Sequence, residues 1–202
     1  MFNNTHILIC KRRGVKIQPI QKTGVILAGG KSKRMGKNKA FLKFKNSNFI
    51  DIAIEAFKNF DEVIVISNEK NLFSNYNVKV YEDEIKELGP IGGIYTALNV
   101  SKYDIVVVAC DMPFVNSFVV EKIAKQMYDI SIVSVYDEKI QPLCSGYKKE
   151  ILKEVKLCIS KNNLKLKNLV DRIDKKHVYF NLSENYFKNI NTIEEFENID
   201  RI

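Results

Sequence analysis

The chain has 202 residues, of which 46% are hydrophobic and 28% charged, and it carries a formal net charge of +8. This composition is typical of one globular domain that is large enough to bury a substantial core. It argues against a membrane span, because the longest unbroken apolar run, residues 105–110, is far shorter than a bilayer requires. The four cysteines form no C-x-x-C pair and no cluster with histidine, so we expect neither a zinc site nor disulfides, and a cytoplasmic location.

The positive charge is concentrated near the amino terminus. Residues 1–50 contain twelve Lys or Arg and no Asp or Glu, whereas residues 51–202 contain 20 bases and 24 acids, a balance of −4. A basic segment on a nearly neutral body suits an anionic small ligand or a nucleic acid. Because the sequence carries no zinc-finger, RNP or helix-turn-helix pattern, a phosphorylated small molecule is the preferred ligand. We expect neither a nucleic-acid partner nor a membrane.

In chain order, residues 1–22 are expected to form a loosely attached N-terminal extension, followed by one domain over residues 23–202. Short apolar runs rich in Val and Ile, without strict alternation, predict strands that are buried on both faces. These predicted strands are residues 24–28, 62–67, 77–81, 104–110 and 130–135. Amphipathic segments between and after them predict helices at residues 49–59, 91–99 and 116–128, the last with Asn116 as its N-cap.

The repeated alternation of strand and helix predicts a single three-layer α/β domain with a mainly parallel central sheet. Later elements are predicted as a strand at 141–147, helices at 148–160 and 164–173, and a strand at 177–180. Thr192 and Glu195 match a capping box that opens a terminal helix. In open parallel sheets the ligand lies beyond the carboxyl ends of the strands. Residues 29–30, 68, 82–84 and 111 should therefore converge on one cleft.

The segment over residues 27–39, LAGGKSKRMGKNK, is the strongest functional signal. It follows a predicted buried strand, opens with two adjacent glycines, Gly29 and Gly30, and places five Lys or Arg within nine residues. A strand that leads into a glycine turn with several cations is suited to binding a polyphosphate through backbone N–H groups and fixed positive charge. The spacing fits neither a Walker loop nor G-x-G-x-x-G, because five residues separate Gly30 from Gly36.

Asp111 is the second signal, since it follows a run of six apolar residues and stands just before Met112 and Pro113. A carboxylate at a strand end, opposite a cationic phosphate loop, is well placed to hold Mg2+ against phosphate oxygens. A helix-cap or turn aspartate is the alternative. Asp83 also follows a predicted strand, where it could assist the metal, contact a ribose or base, or serve as an ordinary loop acid. Asn68 follows another, where it could bond to a base edge or serve as a turn or cap residue.

The glycine-rich segment over residues 89–93 opens a predicted helix and requires a close approach either to a ligand or to a neighbouring strand. The sequence contains no G-x-S-x-G motif, and Cys110 is expected to be a buried, inert thiol. Covalent catalysis is therefore disfavoured. Phosphoryl or nucleotidyl transfer, which needs positioning and cationic stabilisation rather than a protein nucleophile, suits these residues.

The motifs LAGGKSKRMG, GPIGGI, ACDMPF, QPLCSGY and NINT stand in the order seen in molybdenum cofactor guanylyltransferases, which this chain resembles. That family belongs to the nucleotidyltransferases of glycosyltransferase-A-like, Rossmann-like fold. The resemblance covers residues 24–114 and then islands at 141–147 and 189–199. It implies a Mg2+-dependent transfer of GMP from GTP to the terminal phosphate of molybdenum-bearing molybdopterin, with release of pyrophosphate.

The resemblance also implies roles for individual residues. The nucleotide would lie along Leu27, Ala28, Gly29 and Gly30, with further contacts from Asn68 and Asp83. The catalytic residues would be Lys39 on the phosphates, Arg34 nearby and Asp111 as the magnesium ligand. The acceptor side would include Asn189 and Asn191. The family usually has Asp before the signature lysine, whereas this chain has Asn38, and both Lys37 and Lys39 stay candidates for the main phosphate contact.

The implied partners are GTP and molybdenum-molybdopterin, with molybdoenzyme chaperones or a GTP-binding accessory protein as further candidates. Two alternatives stay open at this point. The first is a cytidylyltransferase that acts on molybdopterin or on a sugar-alcohol phosphate. The second is a non-catalytic protein that binds nucleotides or RNA, which the basic first fifty residues would also suit.

Overall fold

The structure is a computed structural model that describes residues 18–29, 38–181 and 185–199. The strands are β1 (Ile20–Leu27), β2 (Lys43–Phe44), β3 (Ser47–Asn48), β4 (Phe60–Ile66), β5 (Lys79–Tyr81), β6 (Ile105–Ala109), β7 (Ser131–Tyr136), β8 (Lys139–Ile140), β9 (Cys144–Tyr147) and β10 (Lys175–Tyr179). The helices are α1 (Phe49–Ala56), α2 (Pro90–Val100), α3 (Ser117–Gln126), α4 (Leu152–Ser160), α5 (Leu166–Arg172) and α6 (Ile193–Glu197). Across the described ranges, none of these helices has the length and apolar character needed to cross a membrane.

Within the described residues, the central sheet has the strand order β10-β7-β9-β6-β1-β4-β5, and β8 pairs with β7. β1 pairs in parallel with β4 and β6, β4 with β5, and β10 with β7. Of the strands described in this sheet, only β8 and β9 run antiparallel to their neighbours. The predicted α/β class with a mainly parallel sheet is confirmed.

The three-layer arrangement follows from central strands that carry apolar side chains on both faces. Ile26 of β1 and Val106 of β6 face one core, together with residues of α1 and α3. Val25 and Val107, their immediate neighbours, face the other core with residues of α2, α4 and α5. All four of these side chains are fully buried, so the unbroken apolar runs in the sequence correspond to strands covered on both faces.

Several predicted bounds differ from the observed ones. β1 begins at Ile20 rather than at residue 24, because its first residue already pairs with Phe60 of β4. The strand predicted at 141–147 is confined to β9, since Cys144 N donates to Gln141 O and closes a turn before it. The helix predicted at 148–160 begins as a 3-10 turn and becomes α4 only at Leu152. Residues 1–17 lie outside the described residues, so the division of the chain at 22/23 stays a prediction.

Two local signals in the sequence are confirmed. Val119 N donates to Asn116 Oδ1 at 3.3 Å, so Asn116 is the N-cap of α3. Thr192 and Glu195 form the capping box of α6 in both directions. These motifs could be recognised because each depends on residues only three positions apart.

A carboxylate ties three strands together at the edge of the sheet where β1 and β6 begin. Asp104 Oδ2 lies 3.0 Å from Lys22 Nζ and 3.1 Å from Lys148 Nζ, and Asp104 Oδ1 accepts a hydrogen bond from Lys149 N at 3.0 Å. Burial acts to raise the pKa of Asp104, but these three contacts together outweigh it, and the net effect is a lowered pKa. The ionised form is therefore the one that stabilises the fold.

We expect Asp104→Asn to lower the free energy of unfolding at pH 7 by about 2 kcal/mol, because charge-assisted hydrogen bonds are lost. A lowered folded-state pKa means that this contribution is present above the unfolded pKa of about 3.9 and is lost as the pH falls through the folded value. Urea unfolding of both proteins from pH 7 down to pH 3 should therefore show a difference that shrinks below about pH 4. Asp61→Asn, at an exposed position in β4, is the control. A difference that stays constant with pH would contradict this role.

Candidate active site

The carboxyl ends of four parallel strands meet at one edge of the sheet. Leu27 at the end of β1 lies opposite both Ile66 of β4 and Ala109 of β6, and Ile66 lies opposite Tyr81 of β5. Residues that follow these strands are thereby brought side by side. The segments beginning at residues 28, 67, 82 and 110 share this edge, as the strand pattern predicts.

Three predicted site residues from distant parts of the chain converge on one ammonium group. Lys39 Nζ donates to Asp111 Oδ2 at 3.2 Å and to Asn191 Oδ1 at 2.9 Å. The Lys39 and Asp111 side chains are 19% and 23% exposed, so the pair is partly shielded yet open to a ligand. The Lys39 ammonium lies between two hard oxygen donors. This position therefore suits a metal cation, or a phosphate group together with its counterion.

A short turn presents Lys39 to this cluster. Residues 39–41 form a 3-10 turn, and Asn38 caps it by accepting a hydrogen bond from Ala40 N at 3.0 Å. Ala40 is buried, and the ring of Phe41 packs 5.2 Å from the ring of Phe73. The lysine therefore projects from a turn that is packed against the body of the domain.

Asp111 owes its position to the end of β6. Cys110 N donates to Leu27 O at 3.0 Å, which extends the β1–β6 pairing by one residue, and Met112 N then donates back to Ala109 O at 3.1 Å. The chain turns at this point, and Asp111 stands at the turn. Cys110 is buried, and burial raises the pKa of its thiol, in keeping with the expected inert thiol.

The C-terminal segment closes one side of the cluster. Ile190 is fully buried, and its N–H donates to Asp111 O at 2.9 Å, so the backbone between Asn189 and Asn191 is fixed next to the backbone of Asp111. Glu195 Oε2 accepts hydrogen bonds from Asn191 N at 2.6 Å and from Thr192 N at 3.0 Å. The bond from Asn191 N is the main cause of the lowered pKa of Glu195. The Oδ1 atom of Asn189 is buried and accepts no hydrogen bond from the described residues.

A second predicted pair lies after β4 and β5. Asn68 Nδ2 donates to Asp83 Oδ2 at 2.8 Å, and Asp83 N donates to Asn68 Oδ1 at 3.2 Å. Burial raises the pKa of Asp83, and its Oδ1 atom is buried without a partner among the described residues. An acceptor atom in that state is suited to a donor group from a ligand.

The glycines of α2 approach protein rather than open space. A Cβ atom at Gly93 would lie 2.9 Å from Leu27 Cδ2 and 3.7 Å from Asp83 Oδ1. At Gly92 it would lie 3.1 Å from Leu88 Cβ. Close packing against β1 and the preceding loop therefore explains both glycines, and it resolves the question that the sequence leaves open.

The backbone at the end of β1 leads directly into the site. Ala28 N donates to Ile66 O at 2.9 Å, and Ala28 O accepts from Ser67 Oγ at 3.4 Å. A carbonyl oxygen has two lone pairs, so Leu27 O and Ala28 O can each accept a further bond. Within the described ranges a Cβ at Gly29 would meet only Ile66 O, at 4.0 Å, so packing against these residues does not explain this glycine. Gly30, Arg34 and Lys37 lie outside the described residues, and their roles stay predictions.

Two contacts at the site could not be identified from the sequence. Asn38 Nδ2 donates to Glu69 Oε2 at 2.5 Å, across 31 positions of sequence. The capping-box pattern does indicate Glu195, but nothing in it signals the additional bond from Asn191 N.

Among the described residues, no three His, Cys, Asp or Glu side chains form a metal-binding group. Sites for Mg2+ commonly combine one or two carboxylates with substrate phosphates.

Comparison with known proteins identifies the family. The profile of the MobA-like NTP transferase domain matches residues 24–177. The chain is 38% identical over 199 residues to a probable molybdenum cofactor guanylyltransferase of Clostridium perfringens strain 13, covering 89% of this chain and 96% of that protein. It is 31% identical to a protein of the same name from Geobacillus sp. strain WCH70, covering 87% and 96%.

The fold has a counterpart among solved structures. Molybdopterin-guanine dinucleotide biosynthesis protein A from Archaeoglobus fulgidus superimposes with a TM-score of 0.76 at 23% identity, covering 89% of this chain and 97% of that chain. The match confirms the predicted nucleotidyltransferase fold. The family profile and the sequence matches, which cover most of the chain, show that it belongs to the MobA-like NTP transferase domain family and is a nucleotidyltransferase.

Proposed function

We propose that the protein transfers GMP from GTP to the terminal phosphate of molybdenum-bearing molybdopterin, forming molybdopterin guanine dinucleotide and pyrophosphate. The convergence of Lys39, Asp111 and Asn191 on one point is the observation that carries this proposal. The names of the relatives from Clostridium perfringens and Geobacillus support the choice of GTP and molybdopterin. They also favour it over cytidylyl transfer and over a non-catalytic nucleotide- or RNA-binding role.

In this proposal the attacking group is an oxygen of the acceptor phosphate, which is an anion at neutral pH and needs no general base. The new bond forms between that oxygen and the α-phosphorus of GTP, while the bond from the α-phosphorus to the bridging oxygen breaks. Pyrophosphate takes the electron pair as it leaves. Lys39, with Arg34 as a second candidate cation, stabilises the charge that develops on the phosphates.

The remaining site residues bind and orient the two substrates. The ends of β1 and β4 and the Asn68–Asp83 pair bind the nucleotide, with the buried Asp83 Oδ1 free to accept a hydrogen bond from it. Asn189 and Asn191 contact the acceptor, since they flank Ile190, whose N–H is bonded to the Asp111 backbone, and Asn191 also accepts a bond from Lys39.

The cofactor of the proposed reaction is Mg2+. The Asp111 carboxylate and the Asn191 amide oxygen are hard donors that already surround a cationic group, so this donor set fits the ion. Asp111 would hold the Mg2+ ion, and the bound ion would supply positive charge next to the phosphate oxygens.

Molybdoenzyme chaperones, a GTP-binding accessory protein and the cytoplasmic location stay predictions.

The direct test is incubation of the protein with Mg2+, molybdenum-loaded molybdopterin and either GTP or CTP. We expect a guanine dinucleotide by mass spectrometry together with stoichiometric pyrophosphate from GTP. We also expect calorimetry to give tighter binding of GTP than of CTP. A cytidine dinucleotide, or preferential binding of CTP, would replace the guanylyl assignment with the cytidylyl alternative. Nucleotide binding without pyrophosphate release would instead favour the non-catalytic alternative.

We expect Asp111→Asn to reduce the rate of pyrophosphate release by about 100-fold or more, because an amide cannot supply the negative charge that holds the metal. Nucleotide affinity should fall mainly when Mg2+ is present. Asp129→Asn removes an exposed carboxylate near the opposite edge of the sheet and should leave turnover unchanged. Unchanged turnover in Asp111→Asn would exclude Asp111 as the metal ligand.

We expect Lys39→Ala to lower kcat/KM for GTP by about 100-fold, since a positioned cation on the transferring phosphates is lost. Lys153→Ala, at an exposed position of α4, is the matched control for loss of one positive charge. Steady-state kinetics of both variants at the same ionic strength provide the measurement. An equal, small effect in the two variants would show that general electrostatics, and not contact with phosphate, accounts for the role of Lys39.

A further inference from the structure

We propose that Asn38 and Glu69 are a positioning pair that sets the distance between the phosphate side of the site and the side that holds the rest of the nucleotide. The inference rests on the proposed function. Asn38 immediately precedes Lys39, and Glu69 immediately follows Asn68. A bond between Asn38 and Glu69 therefore connects the neighbours of two residues that are assigned to different parts of the nucleotide.

The Asn38 amide uses both of its ends. Its Oδ1 atom accepts a hydrogen bond from Ala40 N at 3.0 Å and caps the turn that carries Lys39. Its Nδ2 atom donates to Glu69 Oε2 at 2.5 Å. An aspartate at this position could still cap the turn, but it could not donate, and it would face the Glu69 carboxylate with a like charge. The capping role and the bridging role can therefore be separated by one isosteric substitution.

Glu69 is anchored on its own side of the pair. Its N–H donates to Ser67 Oγ at 3.2 Å, and that buried hydroxyl donates to Ala28 O at 3.4 Å, at the end of β1. Its carbonyl oxygen accepts from Leu72 N at 3.0 Å and thereby starts the turn that contains Phe73. The backbone of Glu69 is thus tied to the edge of the sheet from which the site is built.

Aromatic packing joins the same two turns independently. Phe41, in the turn capped by Asn38, packs 5.2 Å from Phe73, in the turn that follows Glu69. Phe73 is almost completely buried. The turns are therefore held together without the polar pair, so loss of the pair should alter the alignment of Lys39 with Asn68 and should not unfold the segment.

Simple electrostatics and the positioning role predict opposite signs for Glu69→Ala. Glu69 is an exposed carboxylate beside a site for a polyphosphate, so electrostatics alone predicts that its removal strengthens nucleotide binding. The positioning role predicts weaker binding, because Asn38 loses its partner. We expect the Kd for GTP in the presence of Mg2+, measured by calorimetry, to rise about 3- to 10-fold, as for loss of one exposed charge-assisted hydrogen bond.

Asp61→Ala is the matched control, since it removes an exposed carboxylate from the other end of β4. We expect it to leave both the Kd for GTP and the melting temperature at wild-type values, and we expect Glu69→Ala to retain the wild-type melting temperature. Binding of GTP by Glu69→Ala that is as tight as wild type, or tighter, would overturn the inference. Failure of the wild-type protein to bind GTP would contradict the proposed function itself, so the two outcomes are distinguishable.

A charge-neutral exchange of the two groups provides the second test. Asn38→Asp alone places two carboxylates in contact, and we expect KM for GTP to rise by at least about 10-fold while kcat changes much less. Adding Glu69→Gln restores a donor–acceptor pair in the reverse direction, with the same net charge as wild type. We expect this double variant to return KM to within about 3-fold of wild type. A double variant as impaired as Asn38→Asp would overturn the inference.

Discussion

The site depends on the contact of one ammonium group, Lys39 Nζ, with the carboxylate of Asp111 and the amide oxygen of Asn191. Asp111 and Asn191 lie 72 and 152 positions from Lys39 in the sequence, so only the tertiary fold can bring the three residues together. A different local structure holds each residue. Lys39 lies in a capped 3-10 turn, Asp111 follows the end of a central strand, and Asn191 is bonded to the capping-box glutamate of α6. A group of positive charge and hard oxygen atoms, placed where a polyphosphate and its metal ion would lie, is the physical basis of the proposed transfer.

The register of the sheet makes this contact possible. β1 is paired on both sides, and its last residue is level with the last residues of β4 and β6. Both faces of these strands are covered by the apolar sides of helices, which leaves the loops at the strand ends available for function. The opposite edge carries the Asp104 contacts with Lys22 and Lys148. One edge of the sheet thus carries the stabilising ion pairs and the other carries the candidate site.

Much of this arrangement could be predicted, because its signals are local. The apolar run before Asp111 and the Pro113 that follows it are enough to indicate a strand that ends at a carboxylate. The caps at Asn116 and Thr192 likewise depend on residues three positions apart. The sequence places the start of β9 three residues too early, at 141 and not at Cys144, since the pairing of β9 with β6 and its antiparallel direction are set by tertiary contacts. At Gly146 of this strand a Cβ would lie 2.2 Å from Met127 Sδ, a requirement of α3 packing that no local pattern reveals.

Contacts between distant loops of the candidate site cannot be predicted from sequence patterns. Neither the bond from Asn38 to Glu69 nor that from Lys39 to Asn191 has a periodic or motif signature. The glycines of α2 were ambiguous for the same reason, since a close approach to Leu27 and one to a ligand require the same residue type. Long-range geometry decides these cases, and it is also what distinguishes a phosphate-binding lysine from a solvated one.

A crystal structure of the protein with Mg2+ and a non-hydrolysable GTP analogue is the most direct test of the role of Lys39 and Asp111. We expect the phosphates to lie between these two residues, with the ammonium on phosphate oxygens, the metal on the carboxylate and the base near Asn68 and Asp83. A nucleotide bound elsewhere, with Lys39 still 3.2 Å from Asp111 and nothing between them, would contradict it.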